Sequence, residues 1–361
     1  MTISVETGER AQSVQGRLWS ALRKRFRPQI AGQRFFGLSG TAVLKRVVSA
    51  TANRLLHGVK HFLPDYVFLL LSHRRRVGRF PNLKNAATFN EMILDRCLHP
   101  DPRWSELTDK LGVREYVKSK VGEKHLIPLL AAPDTFTQEV FDSLPASFVM
   151  KANHGCGFVK VVWDKSDTSF EKLNQLANEW LAIDFYRASR ERHYRSIERR
   201  IFFEKLLLDQ SGKIPADFKM NIFGREQGAP IIYTGVVSDR FGDPRHDFYD
   251  AQWNRLDVVL GEYPCSVVAA PPLPNWDEVV RVATLLAEGL GYVRVDLYAP
   301  DNEVFFGELT FTPGAGVSRF LPDRYDYEWG QLLKEMTPPQ ALSAIRGSSS
   351  QGWRQRRMSA K

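Results

Sequence analysis

Cysteine is scarce. The 361-residue chain has three, Cys97, Cys156 and Cys265. They lie far apart and none forms a C-x-x-C pair, so neither a zinc site nor a disulfide framework is indicated, and a reducing, cytoplasmic setting fits best. Long apolar runs are also missing. No stretch approaches the roughly 18 uninterrupted apolar residues of a membrane span. The first residues carry acids and no apolar core before a cleavage site, which argues against a secretory signal. The glycine fingerprints of common nucleotide folds are absent too. There is no Walker G-x-x-x-x-G-K-[ST] and no Rossmann G-x-G-x-x-G opening a helix. No internal repeat is visible.

Acid is scarce at the two ends. Residues 1–80 hold 15 Lys+Arg and 3 Asp+Glu, residues 346–361 hold 5 and none, and the middle holds 30 and 38. A mildly acidic body with basic ends argues against a basic nucleic-acid groove in the folded part. It suggests tails that touch an anionic surface such as the inner face of a membrane. In "SVQGRLWSALRKRFR", Val14, Leu18, Leu22 and Phe26 step by four, with arginines between. That pattern fits an interfacial amphipathic helix or a disordered basic tail.

With 43% apolar and 12% aromatic content, the chain is large enough for two or three subdomains. "TFNE" (Thr88–Glu91) is a capping box. Val113, Tyr116, Val117 and Val121 have helical spacing and Gly122 ends that helix. Phe170, Leu173, Leu176, Ala177, Trp180 and Leu181 mark another helix. "NWDE" (Asn275–Glu278) signals the start of a third. Strands are expected at "SFVMK", "FVKVVW", "IFFEKLLL", "DFKMNIFG" and "PIIYTGVVS", and "ERHYRSIERR" reads as a solvated charged stretch. The order is mixed α+β with largely antiparallel sheets backed by helices.

The densest chemistry lies in "VRVDLYAPDNEVFFGELTFTPGAG", Val293 to Gly316. Two strands with a period of two flank the turn formers of "APDNE". On the first strand Val293, Val295 and Leu297 form the apolar set, and Arg294, Asp296 and Tyr298 point the other way. On the second, Phe305, Gly307, Leu309 and Phe311 share the core face, opposite Phe306, Glu308 and Thr310. A turn centred on Asn302 sets Asp296 opposite Glu308 and Arg294 opposite Thr310. Two carboxylates opposite each other repel. Either a cation such as Mg²⁺ removes that cost or Arg294 screens both acids. "TPGAG" then turns the chain sharply and offers little bulk, as a site needing close approach would.

A second feature is "KANHGCGFVK", a strand-end lysine followed by Gly155 and Gly157. Small residues let backbone N–H groups close on phosphate oxygens and a lysine adds a point charge. A plain hairpin loop explains the same residues. His154 is read as a phosphate contact or a solvent-satisfied loop histidine. Cys156 has no evident base.

Taken in order, "FVMKANHGCG", "FFEK", "DFKMNIFG", "VRVDLY" and "FGELTFTPGAG", with "TFNE", "TDKLGVREYVKSKVGEKHLIPLL" and "DFYDAQWNRL", resemble the TupA-like ATP-grasp family over about 61–335. The resemblance implies the ATP-grasp fold, two α+β subdomains sandwiching ATP, after a helical N-terminal region. It divides the chain into a basic extension 1–60, a mostly helical region 61–145, a lid subdomain 146–210, a central subdomain with the metal site 211–335 and a basic tail 336–361. It implies ATP and Mg²⁺ as cofactors. Lys151 is expected on the ATP phosphates and 153–157 in the lid, with Asn153, Gly155 and Gly157. Glu204, Lys205 and Leu207 belong to the adenine hinge, and Asp217 or Lys219 to ribose or phosphates. Asp296 and Glu308 are the metal ligands, with Thr310 where many relatives carry Asn, and Arg294 faces the transferring phosphoryl. Arg294 and Lys151 are the catalytic pair.

The implied function is a carboxylate–amine ligase of surface polysaccharide (capsule or exopolysaccharide) biosynthesis, joining an amino acid or amine to a glycan carboxylate. The rivals are a glycosyltransferase of the same pathway, which needs a D-x-D-type motif, and an ATP-grasp kinase acting on a sugar hydroxyl. Tyr249 and Trp253 of "DFYDAQWNRL" either stack on a sugar or pack their loop.

Overall fold

The computed structural model describes residues 62–225, 227–240, 243–261 and 263–336. The extension 1–60 with its amphipathic pattern, and the tail beyond its first residue Met336, lie outside them. The described residues form two compact units, one of 129–185 and 198–206, the other of 62–128, 186–197 and 207–336. The helical stretch 62–128 thus belongs to the second unit.

The first unit is a four-stranded antiparallel sheet of β1 (Leu129–Ala131), β2 (Phe148–Ala152), β3 (Val159–Val162) and β4 (Ile201–Glu204), in the order β1-β4-β2-β3. Central β2 and its neighbour β4 are almost wholly buried, which suits their unbroken apolar text. The Phe170–Leu181 helix starts where Ser169 accepts a hydrogen bond from the Lys172 N–H, and it buries Leu173, Ala177 and Trp180. Trp180 lies 5.9 Å from Phe158.

The second unit carries β5 (Asp217–Phe223), β6 (Ile231–Ser238), β7 (Arg245–Tyr249), β8 (Arg255–Leu256), β9 (Val259–Leu260), β10 (Tyr292–Tyr298), β11 (Phe305–Thr310) and β12 (Phe320–Leu321). Six of them make one antiparallel sheet, β11-β10-β5-β6-β7-β8, and β9 pairs with β12. One face packs on the Trp276–Ala287 and Val113–Val121 helices, with Val293, Val295, Leu297, Met220 and Ile222 buried beneath them. Each such side chain contributes about 1.5–3 kcal/mol of hydrophobic burial. The other face is apolar only at one end, where Phe223, Tyr292 and Phe248 meet Trp329 and the Phe89–Leu98 helix. Asn221 marks the transition. It accepts from the Tyr292 hydroxyl at 2.9 Å and donates to the Tyr233 carbonyl at 3.2 Å. Beyond it this face turns polar.

The capping box at Thr88 is formed in full, and Gly122 ends the Val113–Val121 helix at φ 95°. Asn275 differs from expectation. Its side chain makes no cap hydrogen bond, because at φ −102° and ψ 28° it leaves the extended conformation an N-cap adopts. The "ERHYRSIERR" stretch is solvated only in part: Glu191 and His193 are buried, as is Arg190 just before it. The Glu191 carboxylate accepts from the Thr312 hydroxyl at 2.5 Å, and Arg190 lies over the Phe68 ring, 3.6 Å from Asp65. A charge pattern alone carries no record of such partners. Burial, with Arg96 adding to it, pushes His193 down to about 3.

The "TPGAG" turn serves packing. Gly316 has φ 65°, and a Cβ there would stand 2.6 Å from the Asn90 carbonyl oxygen of the Phe89–Leu98 helix. Gly316→Ala meets both a steric and a conformational penalty. We expect it to lower stability by about 1–3 kcal/mol in urea unfolding, whereas Gly228→Ala, at φ 87° with open space, should cost less.

Candidate active site

Strand pairing aligns the charged residues into rows. Asp296 stands opposite Glu308 on one side and Lys219 on the other, and Lys219 stands opposite Gly235. Arg294 stands opposite Thr310 and Asn221. The register read from the sequence is therefore present. The alternation is not. A bulge follows Asp296, so that Leu297 pairs with Phe306. Phe306, instead of Phe305 and Gly307, joins Leu309 and Phe311 in the core. Gly307 permits this, since a Cβ there would stand 3.0 Å from the Asp296 carbonyl oxygen.

Arg294 bridges the opposed acids. Its Nε donates to Asp296 Oδ1 at 2.6 Å, and its Nη2 donates to Asp296 Oδ2 at 2.8 Å, Glu308 Oε1 at 3.1 Å and Thr310 Oγ1 at 3.0 Å. Lys219 Nζ lies 2.5 Å from Asp296 Oδ2 and 2.7 Å from Asp217 Oδ2. Arg240 reaches Asp217 Oδ2 at 3.2 Å, and Lys110 reaches Glu308 Oε2 at 3.2 Å. Three carboxylates thus meet four cations.

Burial works against the Arg294 charge, but Asp296 and Glu308 outweigh it and hold the guanidinium further above its ordinary value. The two acids part company. Burial raises Asp296 above the usual carboxylate range, Arg294 and Lys219 offset this only in part, and Asp217 and Glu308 add to it. For Glu308 burial pulls the same way, but Lys110, Arg294, Lys219 and Arg240 prevail and hold it well below that range.

Two carboxylates and a hydroxyl are hard oxygen donors. Among the described residues no group of three or more His, Cys, Asp or Glu is placed to hold a metal ion. The donor set therefore fits Mg²⁺ shared with phosphate oxygens, which typically uses one or two carboxylates, and it does not fit an all-protein cage.

The first unit carries the glycine loop. Lys151 Nζ lies 2.6 Å from Glu204 Oε2, on adjacent strands. Asn153 is committed to the backbone: Nδ2 donates to the Glu198 carbonyl and Oδ1 accepts from the Arg200 N–H, both at 2.8 Å. Gly155 is required by the Phe185 ring, which a Cβ would meet at 2.6 Å. Gly157, at φ 83° with open space around it, keeps the loop's freedom. His154 is buried and stacked on Phe158 at 4.9 Å, so solvent does not satisfy it. Lys205 is exposed and Leu207, which falls in the second unit, is half-buried.

Of the two readings of Tyr249 and Trp253, packing of their loop is the one seen. Tyr249 is fully buried and stacks on Trp253 at 4.5 Å, its hydroxyl accepts from the Ala270 N–H at 2.8 Å, and Trp253 Nε1 donates to the Ala270 carbonyl at 2.9 Å. These rings hold their own loop and are not presented to a sugar. The acids of "DRFGDPRHDFYD" are structural. Asp247 accepts from Arg255 at 2.5 Å, and Asp250 accepts from the Gln252 and Asn254 N–H groups. A D-x-D-like metal pair is not formed from them. Sequence reasoning missed Lys110 and Arg240. Lys110 sits inside the motif "TDKLGVREY", the one signal that pointed its way.

A family model for TupA-like ATPgrasp matches residues 92–334. The chain belongs to the TupA-like ATP-grasp family, and its described residues form a mixed α+β architecture. Among solved structures it is similar to a D-alanine–D-alanine ligase from Bacillus anthracis (16% identity, 68% of this chain and 70% of that one, TM-score 0.40). It is also similar to purK, an N5-carboxyaminoimidazole ribonucleotide synthetase in complex with ADP (14%, 63% and 51%, TM-score 0.37). A third is the macrocyclase MdnC bound with the precursor peptide MdnA, from Microcystis aeruginosa MRC (12%, 64% and 62%, TM-score 0.35). No curated protein matches the chain.

The depressed carboxyl of Glu308 contributes stability that is present above the ordinary value of 4.5 and lost as the pH falls below it. Lys110→Met removes the largest of the cationic contributions. The Glu308 midpoint should rise by about one pH unit or more, read by carboxyl carbon NMR, and the acid-labile share of stability should shrink.

Proposed function

We propose that the protein is an ATP- and Mg²⁺-dependent carboxylate–amine ligase of surface polysaccharide assembly. It joins an amino acid or related amine to a sugar carboxylate. The observation that carries this is the Asp296–Glu308 pair, opposed across one hairpin and bridged by Arg294 with Lys219 alongside. Phosphoryl transfer asks mainly for positioning and neutralisation of charge, and needs no protein nucleophile.

In the proposed reaction an oxygen of the sugar carboxylate attacks the γ-phosphorus of ATP. The bond to the bridging oxygen breaks, and ADP leaves with its electron pair. The amine nitrogen then attacks the acyl carbon. The carbon–oxygen bond to phosphate breaks, phosphate departs, and the surplus proton on nitrogen passes to solvent. Arg294 steadies the transferring phosphoryl by charge-assisted hydrogen bonds. Lys219 does the same for the neighbouring phosphate oxygens. In the first unit Lys151 keeps N–H donors for a phosphate oxygen, since an ammonium has three and Glu204 takes one. Asp296 and Glu308 would hold Mg²⁺, which would supply charge neutralisation and remove the repulsion between the two acids.

The basic ends support a place at the inner membrane face, where lipid-linked glycans are built. Among the described residues no helix is long and apolar enough to cross a membrane. Peripheral attachment therefore falls to the tails. Liposome sedimentation that is unchanged on deletion of residues 1–60 would remove this part of the proposal.

Calorimetry with Mg²⁺ and ATP tests the core of it. Wild type should bind ATP in a Mg²⁺-dependent way, and Glu308→Gln should weaken binding about tenfold or more, as the loss of a charged contact does. A well-folded wild type that binds no ATP overturns the ligase reading. Amino acids and uronic-acid glycans are the substrates to screen next.

A further inference from the structure

One end of the polar face holds two buried acceptor atoms, Asp217 Oδ1 and His246 Nε2, that the charged network leaves unengaged. Asp217 and His246 stand in a row across the sheet, Tyr298–Asp217–Val237–His246, next to the row that runs Glu308–Asp296–Lys219–Gly235–Phe248. Asp217 is 2% exposed. Its Oδ2 accepts from Lys219 at 2.7 Å and Arg240 at 3.2 Å, while Oδ1 has no hydrogen-bond partner among the described residues. His246 is 9% exposed, and its Nε2 likewise has none. The imidazole packs on the Phe248 ring at 4.3 Å. Its Nε2 lies against Gly235, where a Cβ would stand 2.4 Å away. Gly235 is the residue paired with Lys219, so the glycine lets the imidazole lie across β6 towards the charged row.

A buried acceptor left without a donor is costly, so two of them on one face, in one row across three strands, point to a ligand. Competing explanations are weak here. Asp247, the other acid near His246, is already engaged by Arg255 at 2.5 Å and by the Ser266 N–H at 3.0 Å. Burial, with Lys219 and Arg294 adding to it, pushes His246 down to about 3, so the ring is neutral at ordinary pH. With its proton on Nδ1 it offers a lone pair at Nε2.

We propose that Asp217 Oδ1 and His246 Nε2 form the subsite for the attacking amine, each taking one N–H of a neutral primary amine. This rests on the ligase reading, whose second substrate it places. A primary amine has two N–H bonds to give and keeps its lone pair for attack. A hydroxyl has one O–H and would leave one of the two acceptors unsatisfied. A site built for hydrogen bonds rejects ligands that cannot complete them. The nearby cations Lys219, Arg240 and Arg294 disfavour the ammonium form and so favour the nucleophilic one. The pair thereby separates a ligase from a kinase acting on a hydroxyl.

Trifluoroethylamine and trifluoroethanol differ only in NH₂ against OH, carry no other N–H group, and serve as probes. The ring-nitrogen NMR signals of His246 are followed during titration of the full chain with each. The amine should shift them, and the alcohol should bind about tenfold or more weakly. Gly235→Ala, which displaces the imidazole without removing it, should abolish the amine response. Asp217→Asn should weaken it about tenfold or more. ATP calorimetry on the same wild-type sample reads the ligase proposal separately. If the amine leaves His246 unmoved in protein that binds ATP, the subsite falls and the ligase stands. An equal response to both probes overturns the selection for amine. An amine response in protein that binds no ATP keeps the subsite and removes the ligase.

Discussion

Two carboxylates set directly opposite each other on an antiparallel pair repel, and the second unit is organised around the compensation of that repulsion. Arg294 lies two residues from Asp296 on the same strand, so both side chains emerge on one face and the guanidinium can bridge to Glu308. Lys219 arrives from the neighbouring strand and Lys110 from the turn after the Trp104–Thr108 helix. Removing one member of such a buried set leaves its partner charged and uncompensated, which costs about 3–5 kcal/mol. The fold supports this expense on the reverse face of the same strands. Val293, Val295 and Leu297 alternate with Arg294 and Asp296 and are fully buried. One strand thereby carries its anchoring and its chemistry on opposite sides.

Glycine is the second device, and its uses are steric. Gly307 lets the hairpin bulge and return Phe306 to the core just after Glu308 has faced Asp296. Gly316 lets the turn press on the Phe89–Leu98 helix, from which Arg96 also donates to the Phe311 and Tyr292 carbonyls at 3.1 and 2.9 Å. Gly155 makes room for Phe185, and Gly235 for His246. Of the two loop glycines only Gly157, at positive φ with open space around it, keeps the freedom that a phosphate-binding reading asks of a glycine.

What could be read from the sequence follows from range. The register of the hairpin was legible because a period of two and a short turn fix it locally, and the Asp296–Glu308 opposition came with it. The capping box at Thr88 and the Gly122 stop were legible for the same reason. The bulge was not, since a glycine in a strand marks a bulge, a bend or a close approach equally well. Lys110 and Arg240 are distant in sequence from the acids they serve, and no periodicity links them. Glu191 and His193 read as solvated because their partners Thr312 and Arg96 lie about a hundred residues or more away in the chain. For Tyr249 and Trp253 the choice between stacking on a sugar and packing their loop stayed open in the sequence, because the Ala270 backbone that satisfies them belongs to a later loop.

The same cations bear on binding as well as stability. On the proposed function, a polyphosphate entering beside Asp296 and Glu308 meets Lys219, Arg294, Arg240 and Lys110 already held by carboxylates, all but Arg240 largely out of solvent. Their ordering cost has been met during folding, so less of the binding energy goes to fixing side chains. Exchange is then a change of partner. With Asp296 and Glu308 holding a cation, Arg294 would keep its place on the strand and could turn its N–H groups to a phosphate oxygen. Such donors, fixed before reaction, stabilise developing charge without reorganising, which is the larger part of what phosphoryl transfer requires. The compensation that makes the empty hairpin stable is, in this view, the same arrangement that prepares it for ATP.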